Sequence, residues 1–296
     1  MTPANPPALL REGYAYGLLG VAIFSLTLPM TRTAVAELDP YLITLGRALL
    51  AAVPAAALLW LTRSRAPRGA EWPGIALAAL GVVLGWPLTS TLAMQTAPAS
   101  HGAVVGGLLP LSTAAFAAWR SRERLPAAFW AWATAGAALI AAFALREGHG
   151  QLQTADLWLL ASVVLGGLGY SEGARVARTL EGWRTICWIL VASAPLLVLP
   201  TAWLALQVPR LPSAAALGAF AYLAAFSMFL GFFAWYRGLA AGGIARVGQV
   251  QLLQPFLTVL AAALLFGERV PASTFVFAAA VIAVIAAGRR AAARQP

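Results

Sequence analysis

Charge is what this chain has least of. Only 10% of its 296 residues are Asp, Glu, Lys or Arg, while 61% are hydrophobic, and the mean hydropathy is +0.79. A soluble domain carries about 25% charged residues and about 45–50% apolar ones. A chain so poor in charge cannot cover its own exterior in water, so lipid must be its solvent. Lysine is missing altogether, and all twenty basic residues are Arg. There is one cysteine, Cys187, inside an apolar run. No disulfide can form within the chain, and a lone thiol there reads as a small packing residue. The two histidines, His101 and His149, lie at or beyond helix ends with no partner visible in the sequence, and read as surface groups. There is no paired-carboxylate motif, no His-x-x-x-His, no cysteine cluster and no glycine-rich phosphate loop. No catalytic residue, metal site or cofactor is therefore assigned, and enzymatic activity is not expected. No Asp falls mid-membrane, so no proton relay is visible either.

What is present is a series of long apolar runs. A spanning helix needs about 20 mostly apolar residues, and ten candidates satisfy this. They run Gly13–Thr33, Tyr41–Leu61, Trp72–Ala93, Ser100–Ala118, Ala127–Leu145, Leu157–Ala177, Thr185–Leu206, Ser213–Tyr236, Ile244–Phe266 and Ala272–Gly288. Ala34-Val35-Ala36 has the form of a signal-peptide cleavage site. The polar Thr31-Arg32-Thr33 just before it argues for retention of the first span, as does the symmetry set out below. The formal net charge of +10 invites a nucleic-acid reading. The arginines are instead dispersed between spans, which excludes a basic stripe and with it a nucleic-acid partner. Counted with the N-terminus inside, fifteen Arg fall in inside connections and four outside, with Arg47 within a span. Basic residues stay on the cytoplasmic side, so both termini are expected in the cytoplasm.

The middle of the chain recurs near its end at an offset of 145. Leu108-Leu109-Pro110 returns as Leu253-Gln254-Pro255, and Glu123-Arg124-Leu125-Pro126 as Glu268-Arg269-Val270-Pro271. Five spans per half is an odd number, so the second copy enters the membrane from the opposite side. The expected fold is all-α and integral to the membrane: ten transmembrane helices as two inverted five-helix repeats, residues 1–150 and 151–296. Inverted repeats make inward-facing and outward-facing states near mirror images of one another, the basis of alternating access.

The duplicated prolines Pro110 and Pro255, with their Glu-Arg-x-Pro turns, resemble the drug/metabolite transporter superfamily, specifically its ten-span members with two EamA-type halves. The resemblance covers almost the entire chain. Arg47 sits where members often carry an arginine. The usual Trp-Gly-x-x-Phe start of the first span is replaced by Phe24-Ser25-Leu26-Thr27-Leu28-Pro29. The resemblance implies export of small amphiphilic metabolites from a bacterial cytoplasmic membrane, with aromatic or neutral amino acids foremost and cationic drugs a further class. It also implies no prosthetic group and a cavity lined by spans one, three, four, six, eight and nine. The chain is expected to act as a monomer, with the lipid bilayer and a small-molecule substrate as its partners. Rival classes are an intramembrane enzyme on a lipid-linked substrate, which would need acidic or metal-binding loops, and a non-transporting scaffold, which would not need duplicated prolines.

Several residues are candidate substrate-binding groups. Proline inside a span frees the carbonyl four residues earlier and bends the helix, at Gly106 for Pro110 and at Gln251 for Pro255. Gln251 and Gln254, near Gln249, share a helix face and offer donor and acceptor together. The alternative for these amides is helix-to-helix hydrogen bonding. Trp86, deep in its span, could stack on a ligand or simply pack. Ser25, Ser90 and Tyr170 are further cavity candidates. Trp235-Tyr236 reads as an interfacial anchor. Glu172 reads as a local ion pair with Arg175. The Gly81/Gly85, Gly102/Gly106 and Gly169/Gly173 spacings permit close helix approach.

Overall fold

A computed structural model describes residues 6–121, 127–147, 151–242 and 248–293. The Glu123 turn, His149, Arg246 and the side chain of Gln249 lie outside the described residues. The described chain is a bundle of ten helical rods. These are α1 (Arg11–Val35), α2 (Pro40–Leu61), α3 (Gly69–Ala93), α4 (Ala99–Arg120), α5 (Ala127–Glu147), α6 (Thr154–Leu180), α7 (Gly182–Leu206), α8 (Ala214–Gly238), α9 (Val250–Phe266) and α10 (Ala272–Ala293). Seven are long and apolar enough to cross a bilayer among the described residues; α5, α9 and α10 contribute the shorter apolar stretches Trp130–Arg146, Val250–Phe266 and Ala272–Val284.

Local chemistry sets the helix starts. Asp39 caps α2, its Oδ1 accepting from the backbone N–H of Tyr41 at 2.8 Å and of Leu42 at 3.1 Å. The Ser213 hydroxyl caps α8 by accepting from Ala216 N–H at 3.2 Å. Glu37 lies across the loops from it, and its carboxylate accepts both the Ser213 hydroxyl at 2.5 Å and the Ser213 N–H at 2.7 Å. Those two bonds, the hydroxyl first, hold Glu37 below the usual carboxylate pKa. Gly267, at φ +65°, ends α9 in the left-handed conformation that glycine adopts without a Cβ penalty.

The packing obeys an exchange of halves. α2 lies against α7, α4 against α9 and α5 against α10, each pair related to itself by the 145-residue offset. The α1–α8 contact has its counterpart in α3–α6, and α1–α9 in α4–α6. Irregular segments follow the same rule: α3 carries a π-helical stretch at Leu80–Gly85, and α8 one at Leu223–Leu230. π-helical turns occur often at functional sites because they shift a ligand-facing register without breaking the helix.

Among the described residues, charged contacts between loops connect loops of the same end. At the arginine-rich end, Arg65 forks onto Glu71 at 2.9 Å, and the Trp188 ring N–H donates to the Arg65 carbonyl at 3.1 Å. At the opposite end, Glu268 accepts from the backbone N–H of Ala99 at 2.7 Å and of Ser100 at 3.0 Å, capping α4. This partition is the one the alternating arginine pattern of the loops anticipates.

Three expectations change. Trp235 and Tyr236 are not interfacial anchors: both are buried in the core that α1, α2, α3, α6, α7 and α8 share, because α8 lies along α1 with the Trp235 backbone close over Gly20. His101 is no surface group; it is buried at the α4–α6 contact, Nε2 2.7 Å from Asp156 Oδ1, with Phe143 beside its ring. Glu172 is fully buried and takes Arg175 at 2.7 Å as expected, but also Arg120 from α4. Breaking a buried pair by removing one partner strands the other charge, so this cluster ties α4 to α6 at the arginine-rich end.

The tightest crossing is α3 on α6. A Cβ at Gly81 would stand 2.4 Å from Gly169 Cα, and one at Gly169 would stand 2.8 Å from Gly81 Cα. Backbone atoms cannot swing away as side chains do. Gly81→Val or Gly169→Val is therefore expected to force the helices apart at a cost of about 1–3 kcal/mol or more. The measurable result is reduced membrane abundance and a lower melting temperature in detergent; unchanged values for both variants would disprove the close crossing.

Candidate functional site

The two duplicated prolines do more than bend their helices. α4 is helical over Ala99–Gly106, interrupted at Gly107 and Leu108, and resumes at Leu109. α9 opens with a 3-10 segment, Gly248–Leu253, and becomes α-helical at Gln254. Each proline thus sits second in a new helix, where its missing N–H is not required. The expected kinks are breaks, and they occur at positions 109 and 254, related by the same offset of 145. Two half-helices therefore begin inside the protein; in α4 the new helix is joined to the old by the Leu111 and Ser112 N–H groups, which both donate to the Leu108 carbonyl, at 3.0 and 3.1 Å.

A cavity of about 40 Å³ lies at these breaks. Trp86 and Ser90 of α3, Pro110 of α4, and Gln251, Gln254 and Pro255 of α9 all line it. The structure thereby brings together six of the eight candidate residues. Tyr170 lines a second cavity of about 20 Å³, with Arg47, Thr27 and Ser227; Trp86 and Gln254 border both spaces. Ser25 borders neither, and its hydroxyl donates to the Val21 carbonyl at 2.7 Å, within its own helix. The same offset pairs Ser25 with Tyr170, so the smaller member of the pair is turned into the helix while the larger faces the space. The two cavities together draw on α1, α3, α4, α6, α8 and α9, with α2 added through Arg47 and α10 through Ile282.

The side chains at this site are free to act. Among the described residues, neither Gln251 nor Gln254 has a hydrogen-bond partner for its amide, so each keeps donor and acceptor capacity. Gly166 of α6 houses the Trp86 ring: a Cβ there would stand 2.7 Å from Trp86 Cδ1. Arg47, 2% exposed, has Nε and Nη1 buried without a partner and places Cζ 5.9 Å from the Trp86 ring centre. Among the described residues, no acidic side chain lines either cavity. What Arg47 meets is not legible in the sequence, since distance along one helix does not reveal what the other helices bring to it.

Beyond Leu28 and Thr258, α1 and α9 continue into a third space of about 310 Å³ at the arginine-poor end, bordered by Pro29, Arg32, Phe266 and Glu268. A water needs roughly 10–15 Å³ of such volume, so the central cavity holds about three waters, while the vestibule admits a metabolite. The centre is occluded and one end is wide.

A multi-pass helical membrane protein with an occluded polar centre at paired helix breaks has the construction of a transporter. A profile of the EamA-like transporter family matches residues 11–146 and, a second time, 153–287. A curated relative, described as the uncharacterized transporter YdeK of Bacillus subtilis (strain 168), is 44% identical over 285 residues, spanning 94% of this chain and 97% of that protein. A solved structure described simply as the crystal structure of a protein aligns with a TM-score of 0.65 at 22% identity, covering 96% of this chain and 98% of the other, a likeness of fold. The chain belongs to the EamA-like transporter family. That membership makes it a transporter of a small-molecule substrate across a membrane and not an enzyme.

Gly106 offers a direct test of the site. It borders the central cavity, and a Cβ there would meet nothing within 4 Å. Gly106→Val should leave membrane abundance unchanged while slowing transport several-fold by filling the space. Full activity in an abundant variant would remove this cavity from the path.

Proposed function

We propose that this protein is an alternating-access exporter of small amphiphilic metabolites, with aromatic and neutral amino acids as its foremost substrates, acting as a monomer in a bacterial cytoplasmic membrane with both termini inside. The halves 1–150 and 151–296 move against each other about the central site. The observation that carries the reading is the occluded cavity at the two helix breaks, too small for an amino acid and lying beneath a vestibule that is not. Occupancy then requires the halves to separate, and their inverted relation lets the separation occur at either end. The π-helical turns flank the smaller cavity beside it, with Val82 and Ser227 both on that lining. The Glu172 cluster closes the arginine-rich end, which the arginine count puts in the cytoplasm.

The eight candidate residues take roles by position. Gln251 and Gln254 hold polar groups of the substrate, Trp86 and Tyr170 border its apolar body, and Pro110 and Pro255 keep the breaks open, with Ser90 a hydroxyl on the wall. Ser25 is the least suited, since it borders neither cavity. Ser90 lines the central one, although its hydroxyl, like that of Ser25, donates to a carbonyl of its own helix, Pro87 at 3.2 Å.

Purified protein in liposomes is expected to exchange labelled amino acids, and silence across aromatic, neutral and charged panels, with and without a pH gradient, would reject the reading. Gln251→Ala and Gln254→Ala should each slow exchange without lowering abundance; unaltered rates in both would take the α9 amides out of the site. A single cysteine at Ala66, in a Cys187→Ser background, should resist an impermeant thiol reagent in intact cells. Labelling there would invert the topology.

A further inference from the structure

Arg47 is the one guanidinium among the described residues that is buried at the protein's centre with no carboxylate, carbonyl or hydroxyl bonded to it. Arginine does not shed its proton in proteins, so a full positive charge is held there uncompensated. The buried carboxylates among the described residues are matched: Glu71 by Arg65, Glu172 by Arg120 and Arg175, and Asp156 by His101 and the N–H of Gln153. Leu109 and Gln254, the first residues of the two half-helices, border the same small cavity, and the Gln254 amide adds N–H donors to its wall. The walls are otherwise Phe24, Trp86, Tyr170 and Phe232, aromatic surface suited to an apolar body.

Resting on the transporter reading above, we infer that Arg47 receives a carboxylate of the transported substrate, so that this protein carries small organic carboxylates with an apolar body and excludes cationic amphiphiles from the site. The guanidinium supplies a planar fork of donors that matches a carboxylate. Amines and quaternary drugs meet an unopposed positive charge and no acidic residue to balance them. The approach agrees in sign. Arg32 borders the vestibule, whereas the Glu268 carboxylate there is already bonded to two backbone N–H groups. A zwitterionic amino acid fits by its carboxylate, with its ammonium toward the Gln251 and Gln254 carbonyl oxygens.

The test compares phenylalanine, phenylpropionate and phenethylamine, which share one ring and differ in charged groups. Each is offered to the full-length protein in liposomes as a counterflow substrate and in detergent as a stabilising ligand read by melting temperature. The two carboxylates should exchange and raise the melting temperature; the amine should do neither. Arg47→Gln should lower carboxylate exchange by about tenfold or more, chiefly through KM, as loss of a charge-assisted pair predicts. Its own melting temperature should be equal to or above that of the parent protein, since it removes an uncompensated charge. Arg47→Lys, which retains charge but not the fork, should fall between. Exchange of phenethylamine as fast as phenylalanine would overturn the inference and leave the transporter reading standing, whereas failure of every substrate would count against that reading first. A lower melting temperature for Arg47→Gln with unaltered KM would assign Arg47 a packing role. Equal stabilisation by chloride or phosphate, without competition from phenylalanine, would make the site one for an inorganic ion and sink the proposal.

Discussion

Backbone N–H and C=O groups facing hydrocarbon have no water to bond, so a membrane helix can be interrupted only where protein or a cavity covers the interruption. Pro110 and Pro255 impose such interruptions at equivalent points of α4 and α9. The bundle is organised around them. α4 packs against α9, the π-helical turns of α3 and α8 stand nearby, and Trp86 fills the notch that Gly166 leaves in α6. The central cavity is the space these breaks require.

Charge follows a similar discipline. An ion withdrawn from water costs several kcal/mol unless it is matched, and the buried carboxylates are matched each by its own means. Glu172 sits between Arg120 and Arg175, and Asp156 accepts from Gln153 and meets His101, while the half-buried Glu268 caps α4. These contacts lie toward the ends of the bundle and hold helices of the two halves together, α4 to α6 twice over. Arg47 stands apart from that pattern, at the centre and unmatched. A protein that satisfies its structural charges so consistently leaves a charge open where something is to be bound.

Much of this was legible in the residues and some was not. Ten apolar runs and a recurrence at 145 residues carried the number of helices and the place of the breaks. Six of the eight proposed site residues meet at one cavity, because duplicated prolines and mid-span amides are expensive in lipid and so stand out. Ser25 borders neither cavity, and its hydroxyl satisfies itself on the carbonyl four residues earlier, which composition does not distinguish from a free one. His101 was read as a surface group because its partner, Asp156, is 55 residues away. Trp235 and Tyr236 look interfacial by position along α8, yet α1 covers them.

The amino-acid order determined what depends on one helix at a time or on a count: solvent, spans, symmetry and the locations where helices must break. Periodicity, hydropathy and the missing proline N–H are properties of a segment and need no neighbour to express themselves. Tertiary structure alone decided which polar groups are already bonded and which are free, since that depends on side chains brought together from distant segments. Gly81 against Gly169, Glu172 between two arginines, and Arg47 facing Trp86 with no counter-charge are all facts of packing, and it is among these that substrate recognition is settled.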